Sequence, residues 1–160
     1  MIDFTHLHPM IVHFPIALLI VGFLTDAAGL IIKRDFFVKA GFYLLILGSL
    51  GTITALLTGE RAGDGIVEQG MLKQALERHE DAAVLTVWLV SITAVARVLL
   101  VLLKKYTGFF KIGFLVLYMV AVAALGRTGY YGGKLVYENA AGVQFNLGAD
   151  FGSDDFGDED

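Results

Sequence analysis

The sequence contains no cysteine, and this absence excludes several kinds of site. Disulfides, iron–sulfur clusters and thiolate-bound metals all need cysteine sulfur, so this chain forms none of them. The sequence also has no nucleotide-binding loop, no hydrolase triad and no pattern that indicates nucleic-acid binding. Proline is almost absent, since Pro9 and Pro15 are the only two, and both stand among the histidines near the N-terminus.

Charged residues are scarce as well, at 18% of the chain, whereas hydrophobic residues make up 56%. Because soluble domains are about 45–50% apolar, this fraction and the mean hydropathy of +0.70 indicate a membrane protein. A helix needs ~17–25 apolar residues to cross the hydrocarbon core, and four stretches approach or reach that length. They are Met10–Ile32, Ala40–Leu57, Ala82–Leu103 and Phe109–Leu125.

The predicted loops differ in charge between the two sides of the membrane. Basic residues concentrate between spans one and two and between spans three and four, whereas the other side is rich in acids. We expect an all-α, up-down-up-down bundle of four transmembrane helices. Basic loops stay in the cytoplasm, so the two basic loops would lie on the cytoplasmic side. Both termini would then lie on the outer, periplasmic side of a bacterial inner membrane. The basic loop residues are Lys33, Arg34, Lys39, Lys104, Lys105 and Lys111.

We predict one transmembrane domain over residues 1–147 and an acidic tail over residues 148–160. The domain includes an extracytoplasmic loop at 59–81, which ends in an amphipathic helical turn, and a C-terminal segment at 126–147. The tail has six acids in thirteen residues, a composition that favours a disordered, solvated segment. Met1 leads almost directly into the first span without a basic n-region or a cleavage site, so we expect that span to be retained.

The C-terminal segment 126–147 contains two short runs of β-branched and aromatic residues. Leu135–Tyr137 and Val143–Phe145 flank a turn-like Asn139–Gly142 stretch. This pattern predicts a small β-hairpin after the fourth span.

Three of the four histidines lie at the mouth of the first span, in FTHLHPMIVHFPIALLI at residues 4–20. Ionisable groups at membrane depth cost free energy, so they are functional candidates from the outset. Structural roles compete with function for each of them: His8 ahead of Pro9 would cap the helix, and His13 would bond a carbonyl that Pro15 leaves free. His79 has the competing role of an ordinary interfacial residue.

His13 and His79 form the predicted centre. Both lie near the outer ends of spans one and three, which are diagonal partners in a four-helix bundle. Neighbouring axes ~8–10 Å apart put the diagonal at roughly 12–14 Å, a gap that suits two axial histidines on one haem b iron. Gly48 and Gly51 on span two lie where a porphyrin edge would fall, with close helix packing as the equal alternative. The arginines that would hold the propionates are Arg61, Arg78 and Arg127.

The leading hypothesis is therefore an integral membrane b-type haem-binding module for electron transfer, with its site at the periplasmic end. One alternative is a non-catalytic assembly or accessory subunit of a larger membrane complex. The other is a His/carboxylate metal site, in which His6 or His8 joins His13 and His79 because a small metal needs closely converging ligands. We favour an electron-transfer or accessory role over an enzyme.

Asp26 and Arg97 are the clearest structural pair. Each lies ~22 Å along its span from the outer end, at 1.5 Å per residue, so their depths match. Because a lone charge at that depth is expensive, we predict a buried ion pair that holds the bundle together. A proton relay is the alternative role.

Two motifs give the chain a resemblance to a known family. His8–Ala17 matches the pattern HPxxVHFPIA, and Gly132–Tyr137 matches GGxLVY. Both are typical of a family of four-helix bacterial membrane proteins of unknown function, which also has a histidine where this chain has His79. Relatives often continue GGxLVY with a histidine-containing run that is replaced here by Asn139–Val143. Family members occur fused to or encoded near c-type cytochromes, which implies redox chemistry and a periplasmic c-type cytochrome or respiratory-type complex as partner.

Overall fold

Four long helices make up the structure. The computed structural model describes residues 4–63, 70–139 and 141, with side chains from residue 7 onwards. All four helices are long and apolar enough to cross a membrane, and the described ranges contain no strand. The prediction of an all-α, four-span membrane protein is confirmed. The helices are α1 (Phe4–Ile32), α2 (Asp35–Gly63), α3 (Gly70–Leu102) and α4 (Gly108–Tyr137).

The helices form two hairpins arranged as a ring. α1 packs extensively on α2 and α3 on α4, whereas the α2–α3 and α1–α4 contacts that join the hairpins are smaller. α1 and α3 are therefore diagonal partners, as are α2 and α4. We call the end that holds the first residues of α1 and α3 the histidine end, and the opposite end the ion-pair end. The side of the membrane that each end faces stays a prediction.

The two short turns at the ion-pair end share one backbone feature. Lys33 and Lys104 both adopt a left-handed conformation, with φ of 56° and 54°; Lys33 directly follows the last residue of α1, and Lys104 lies two residues after the end of α3. The Lys33 amide donates to the Gly29 carbonyl at 3.1 Å, which satisfies an orphan carbonyl at the end of α1. A lysine costs more than glycine in this conformation, but its charge complements the negative end of the helix dipole.

The interior of the bundle includes several polar side chains among its apolar core residues, and many large apolar side chains lie on its outside. Buried side chains include Ser49, Thr52, Thr93 and the charged groups near the ion-pair end. The three hydroxyls each donate to a carbonyl of their own helix, so they are satisfied without water. Large apolar side chains such as Trp88, which is 64% exposed, point outward. This pattern suits a lipid environment.

α3 and α4 extend beyond the apolar stretches at the histidine end. The predicted amphipathic turn at 71–78 forms the first turns of α3. Leu135–Tyr137, which we predicted as a strand, is helical, so that prediction was wrong; Leu135 is buried and the Glu138 amide donates to the Lys134 carbonyl at 3.0 Å. The second predicted strand, Val143–Phe145, and the acidic tail at 148–160 lie outside the described residues.

Candidate functional site

His8 points into the bundle from the first turns of α1. Its Nδ1 lies 3.2 Å from Oγ1 of buried Thr58 on α2. The Thr58 hydroxyl lies within bonding distance of the carbonyls of Thr54 and Ala55, at 3.1 and 3.0 Å, and donates there. Its oxygen therefore accepts from the Nδ1–H of His8. This arrangement favours the neutral tautomer in which Nε2 carries the free lone pair.

A glycine on α2 makes room for the His8 ring. A Cβ added to Gly59 would lie 3.0 Å from Cε1 of His8, closer than most real contacts. Any larger residue there would push the ring away from its present position. Thr58 and Gly59 are adjacent, so one turn of α2 both binds the imidazole and gives it space.

His79 on α3 is held in a matching way by α4. Its Nδ1 lies 3.2 Å from the Thr128 carbonyl, which can only accept, so Nδ1 is the protonated nitrogen and Nε2 again carries the lone pair. A Cβ added to Gly132 would lie 3.2 Å from Cε1 of His79. The Thr128 hydroxyl also contacts Thr86 Oγ1 at 2.8 Å and the Ala82 carbonyl at 2.9 Å, which ties α4 to α3 below the ring.

The two histidines form the candidate site, which draws on all four helices. His8 lies on α1 and His79 on the diagonal helix α3, both at the histidine end of the bundle. Their sequence contexts also correspond: 50 residues separate His8 from Thr58, and 49 separate His79 from Thr128.

His13 does not join this site. Its side chain is exposed, and its Nδ1 lies within bonding distance of the Pro9 carbonyl of its own helix. The structure therefore brings His8, and not His13, to His79. Five residues of α-helix rotate the direction of the side chain by about 140° about the helix axis, so His8 and His13 face different sides of α1. The competing structural role for His13, a bond to a backbone carbonyl, matches its contacts, although the carbonyl is that of Pro9. His6 lies outside the described side chains.

The predicted glycines of α2 serve the contact between α1 and α2. A Cβ on Gly48 would lie 2.7 Å from Cγ of Leu19, and a Cβ on Gly51 would lie 3.0 Å from Cβ of Pro15. Leu19 and Pro15 thus fill the space in which a porphyrin edge was expected. Of the two interpretations of Gly48 and Gly51, close helix packing is the one that agrees with these contacts.

The three predicted arginines stand at the histidine end on three different helices, and all are exposed. Arg61 Nη1 donates to the Leu57 carbonyl at 3.1 Å, and Arg78 Nη2 donates to Gln74 at 3.4 Å. The Arg127 guanidinium carbon lies 5.5 Å from the centre of the Tyr131 ring. Each brings a positive charge to the histidine end of the bundle.

Asp26 and Arg97 are brought together at the ion-pair end. Arg97 Nη2 lies 3.1 Å from Asp26 Oδ1, and each side chain is 1% exposed. The same nitrogen donates to the Val38 carbonyl at 3.0 Å. A Cβ on Gly41 would lie 3.0 Å from Cγ of Asp26, so this glycine admits the carboxylate. The pair joins α1 to α3 across the bundle, as the sequence predicts.

Aromatic rings enclose the guanidinium of Arg97. Its central carbon lies 3.4 Å from the centre of the Tyr106 ring, 4.9 Å from that of Phe114 and 6.0 Å from that of Phe42. The Tyr106 hydroxyl also reaches Asp26 Oδ1 at 3.4 Å. The hydrogen-bond and ring partners come from α1, α2, α4 and the α3–α4 turn.

Among the described residues, the histidine site offers two imidazole nitrogens as metal ligands. Across the described residues, no three His, Cys, Asp or Glu side chains are grouped so that they could hold a metal ion. A zinc-type site with three or four protein ligands therefore does not fit this part of the chain. A group that takes only two imidazoles, on opposite sides of one metal, does fit the donor set.

No curated protein and no solved structure matches the chain. The model of one family does match it, over residues 5–145. This range covers the four helices, both inward histidines and the ion pair. The family is described as "Predicted membrane protein (DUF2231)", in agreement with the four spanning helices and with the resemblance carried by the sequence motifs. The chain therefore belongs to the DUF2231 family of predicted membrane proteins.

Proposed function

We propose that the protein is an integral membrane electron-transfer module that binds one b-type haem between His8 and His79. The observation that supports this function is the presence of two imidazoles on diagonal helices at the same end of the bundle, each with Nδ1 bonded to an oxygen and with the Nε2 lone pair left to bind a metal. This tautomer is the one that metal-ligating histidines adopt when the other ring nitrogen binds a carbonyl or hydroxyl.

The chain's own residues fit the group in three further ways. Gly59 and Gly132 give the imidazoles room at their present positions. Thr58 and Thr128 hold the ring orientations through Nδ1, and the rigid helices on which they stand keep that geometry. When bound, a haem with two histidine ligands supplies one-electron redox chemistry. Arg61, Arg78 and Arg127 carry the positive charge that two propionates need.

This proposal replaces one of the two ligands predicted from sequence. His13 has the right depth but faces away from the bundle, whereas His8 has both the depth and the direction. Because Leu19 and Pro15 occupy the space beside Gly48 and Gly51, the porphyrin would lie closer to the histidine end than the sequence predicted.

We further propose that the protein lies in a bacterial inner membrane with its histidine end on the periplasmic side. The support is the charge of the two turns at the ion-pair end, where Lys33, Arg34, Lys104 and Lys105 are all exposed. A haem at the periplasmic end would exchange electrons with a periplasmic c-type cytochrome or with a larger respiratory-type complex.

The test is optical spectroscopy on protein purified from haem-supplied cells. We expect reduced-minus-oxidised spectra with sharp α and Soret bands for the wild type and for His13→Ala. We expect these bands to be lost in His8→Ala and in His79→Ala. His13→Ala is a matched control, because His13 lies on the same helix one and a half turns from His8 but faces outward.

Two outcomes contradict the proposal. Bands that persist in His8→Ala but disappear in His13→Ala would restore the pair predicted from sequence. A wild type that folds but stays colourless would exclude haem, and a non-catalytic accessory subunit would then be the better-supported function.

A further inference from the structure

The buried ion pair leaves three polar atoms without a partner among the described residues. Asp26 Oδ2, Arg97 Nε and Arg97 Nη1 are fully buried and make no hydrogen bond there. The bonds to Asp26 Oδ1 and Val38 involve only Nη2 of the guanidinium. The pair therefore has one acceptor and two donor atoms to spare, all inside the bundle.

Such atoms are costly to leave unpaired. A buried group that loses its hydrogen bond costs about 1–3 kcal/mol, and more if it is charged. The three aromatic rings around Arg97 leave the guanidinium edges as the approach for a small polar molecule. A molecule that binds there has to accept a hydrogen bond from an N–H group of Arg97 and donate one to Oδ2 of Asp26.

Water is the ligand with both properties. An anion would face the Asp26 carboxylate without a proton to offer it, and a cation would face the Arg97 guanidinium at short range. Buried waters in proteins typically make about three hydrogen bonds to polar groups that are otherwise unsatisfied. A water between an unmatched N–H of Arg97 and Oδ2 of Asp26 would accept a hydrogen bond from the first and donate one to the second. Because Nε–H and the Nη1–H groups point to different edges of the guanidinium, each needs its own water.

We propose that the ion-pair end contains an internal water site between Asp26 and Arg97, which exchanges with the aqueous phase through the α3–α4 turn. Tyr106 covers this route. It is half-buried in that turn between exposed Lys105 and Thr107, and its hydroxyl lies 3.4 Å from Asp26 Oδ1. The Tyr106 ring also packs against Phe114, and the Lys111 ammonium lies 5.4 Å from the centre of the Tyr106 ring. The site is independent of the proposed haem function.

The experiment is nuclear magnetic resonance on the full chain in detergent micelles, with arginine labelled by nitrogen-15. In the wild type we expect a cross-peak between water and the Nε–H of Arg97. We also expect this proton to exchange in D2O faster than the backbone amides of Leu45 and Val90, which are equally buried. Water itself is the probe, so no other ligand has to be known.

Variants of Tyr106 test the route. Tyr106→Phe keeps the ring, so the exchange rate of Arg97 Nε–H should stay within about twofold of the wild type. Tyr106→Ala should raise that rate about tenfold or more, because it lowers the free energy of the local opening that precedes exchange. Tyr43→Ala, which removes an exposed tyrosine of α2, is the matched control and should leave the rate unchanged.

An absent water cross-peak, with Arg97 Nε–H as protected as the two amides, would overturn the water site. Equal exchange in Tyr106→Ala and Tyr43→Ala would overturn the route. If Tyr106→Ala does not fold, the wild type alone still decides whether water is present. Tyr106→Phe then tests the route: if the exchange rate of Arg97 Nε–H changes more than about twofold, the Tyr106 ring is not what covers the site.

Discussion

Histidine near the start of a membrane helix loses hydration, and both inward histidines recover hydrogen bonds in the same way. His8 and His79 each use Nδ1 on a threonine of the next helix along the chain. Depth alone did not distinguish His8 from His13, because both lie near the membrane boundary in sequence. The spacing along the helix does distinguish them. His8 lies eighteen residues, or five full helical turns, before Asp26, so both face the same side of α1. His79 lies the same number of residues before Arg97 on α3.

The ion pair gives a prediction at this scale. Asp26→Ala or Arg97→Ala should each lower the free energy of unfolding by about 3–5 kcal/mol, because the remaining charge is buried without its partner. The double variant should lose less than the sum of the two single losses. The measurement is a double-mutant cycle from reversible unfolding in mixed micelles, and strictly additive losses would mean that the two side chains do not interact.

A second residue-scale prediction concerns Gly132, which makes room for the ring of His79. Gly132→Ala places a methyl group 3.2 Å from Cε1 of His79, whereas Gly129→Ala, on the same helix, meets nothing within 4 Å. We expect Gly132→Ala to shift the imidazole carbon resonances of His79 and to weaken haem bands in the spectra, while Gly129→Ala leaves both unchanged. Identical spectra for the two variants would show that the glycine does not position the ring.

At the scale of elements, the hairpins differ in how tightly their helices pack. α1 and α2 approach each other closely at Gly29, Gly41 and Gly48, where an added Cβ would lie 3.0 Å or less from an atom of the other helix. Hydropathy was enough to predict four helices, because nearly continuous apolar runs of spanning length have no other stable form in lipid. Hydropathy did not predict where α3 begins or α4 ends, because those turns are amphipathic and glycine-rich. Burial of residues such as Leu135 determines where these helices begin and end.

Glycine substitutions test this close packing. Gly48→Ala should destabilise the bundle by about 1–3 kcal/mol, because its Cβ would lie 2.7 Å from Cγ of Leu19. Gly113→Ala on α4 meets nothing within 4 Å, so it should be neutral or stabilise the helix by about 0.5–1 kcal/mol. Thermal unfolding of the purified proteins measures both effects, and equal midpoints would contradict the tight α1–α2 contact.

At the scale of the whole molecule, the chain separates two polar centres within one apolar bundle. Eighteen residues at 1.5 Å each put the histidine pair and the ion pair about 27 Å apart along the axis, close to the ~30 Å thickness of the hydrocarbon core. Sequence reasoning found the ion pair and His79 because ionisable residues are rare in the spans, but it paired His79 with His13 in place of His8. It could not find the histidines' partners Thr58 and Thr128, since threonines are common in membrane helices and only the fold shows which of them face a histidine.

Topology is tested on the intact protein, and the absence of cysteine makes single-cysteine labelling direct. We expect Ser153→Cys to react with a membrane-impermeant thiol reagent in intact spheroplasts and Lys105→Cys to react only after lysis. The opposite pattern would reverse the orientation and place the histidine end in the cytoplasm.

The paired spacing of the two centres has a mechanical consequence. The ion pair sets the depth of α3 against α1, and the eighteen-residue spacing on each helix carries that depth to His8 and His79 at the opposite end. A slip by one helical turn, about 5.4 Å, would break the ion pair and displace one imidazole against the other by the same distance. The two hairpins therefore have one register, and the charges at one end of the bundle set the alignment of the imidazoles at the other.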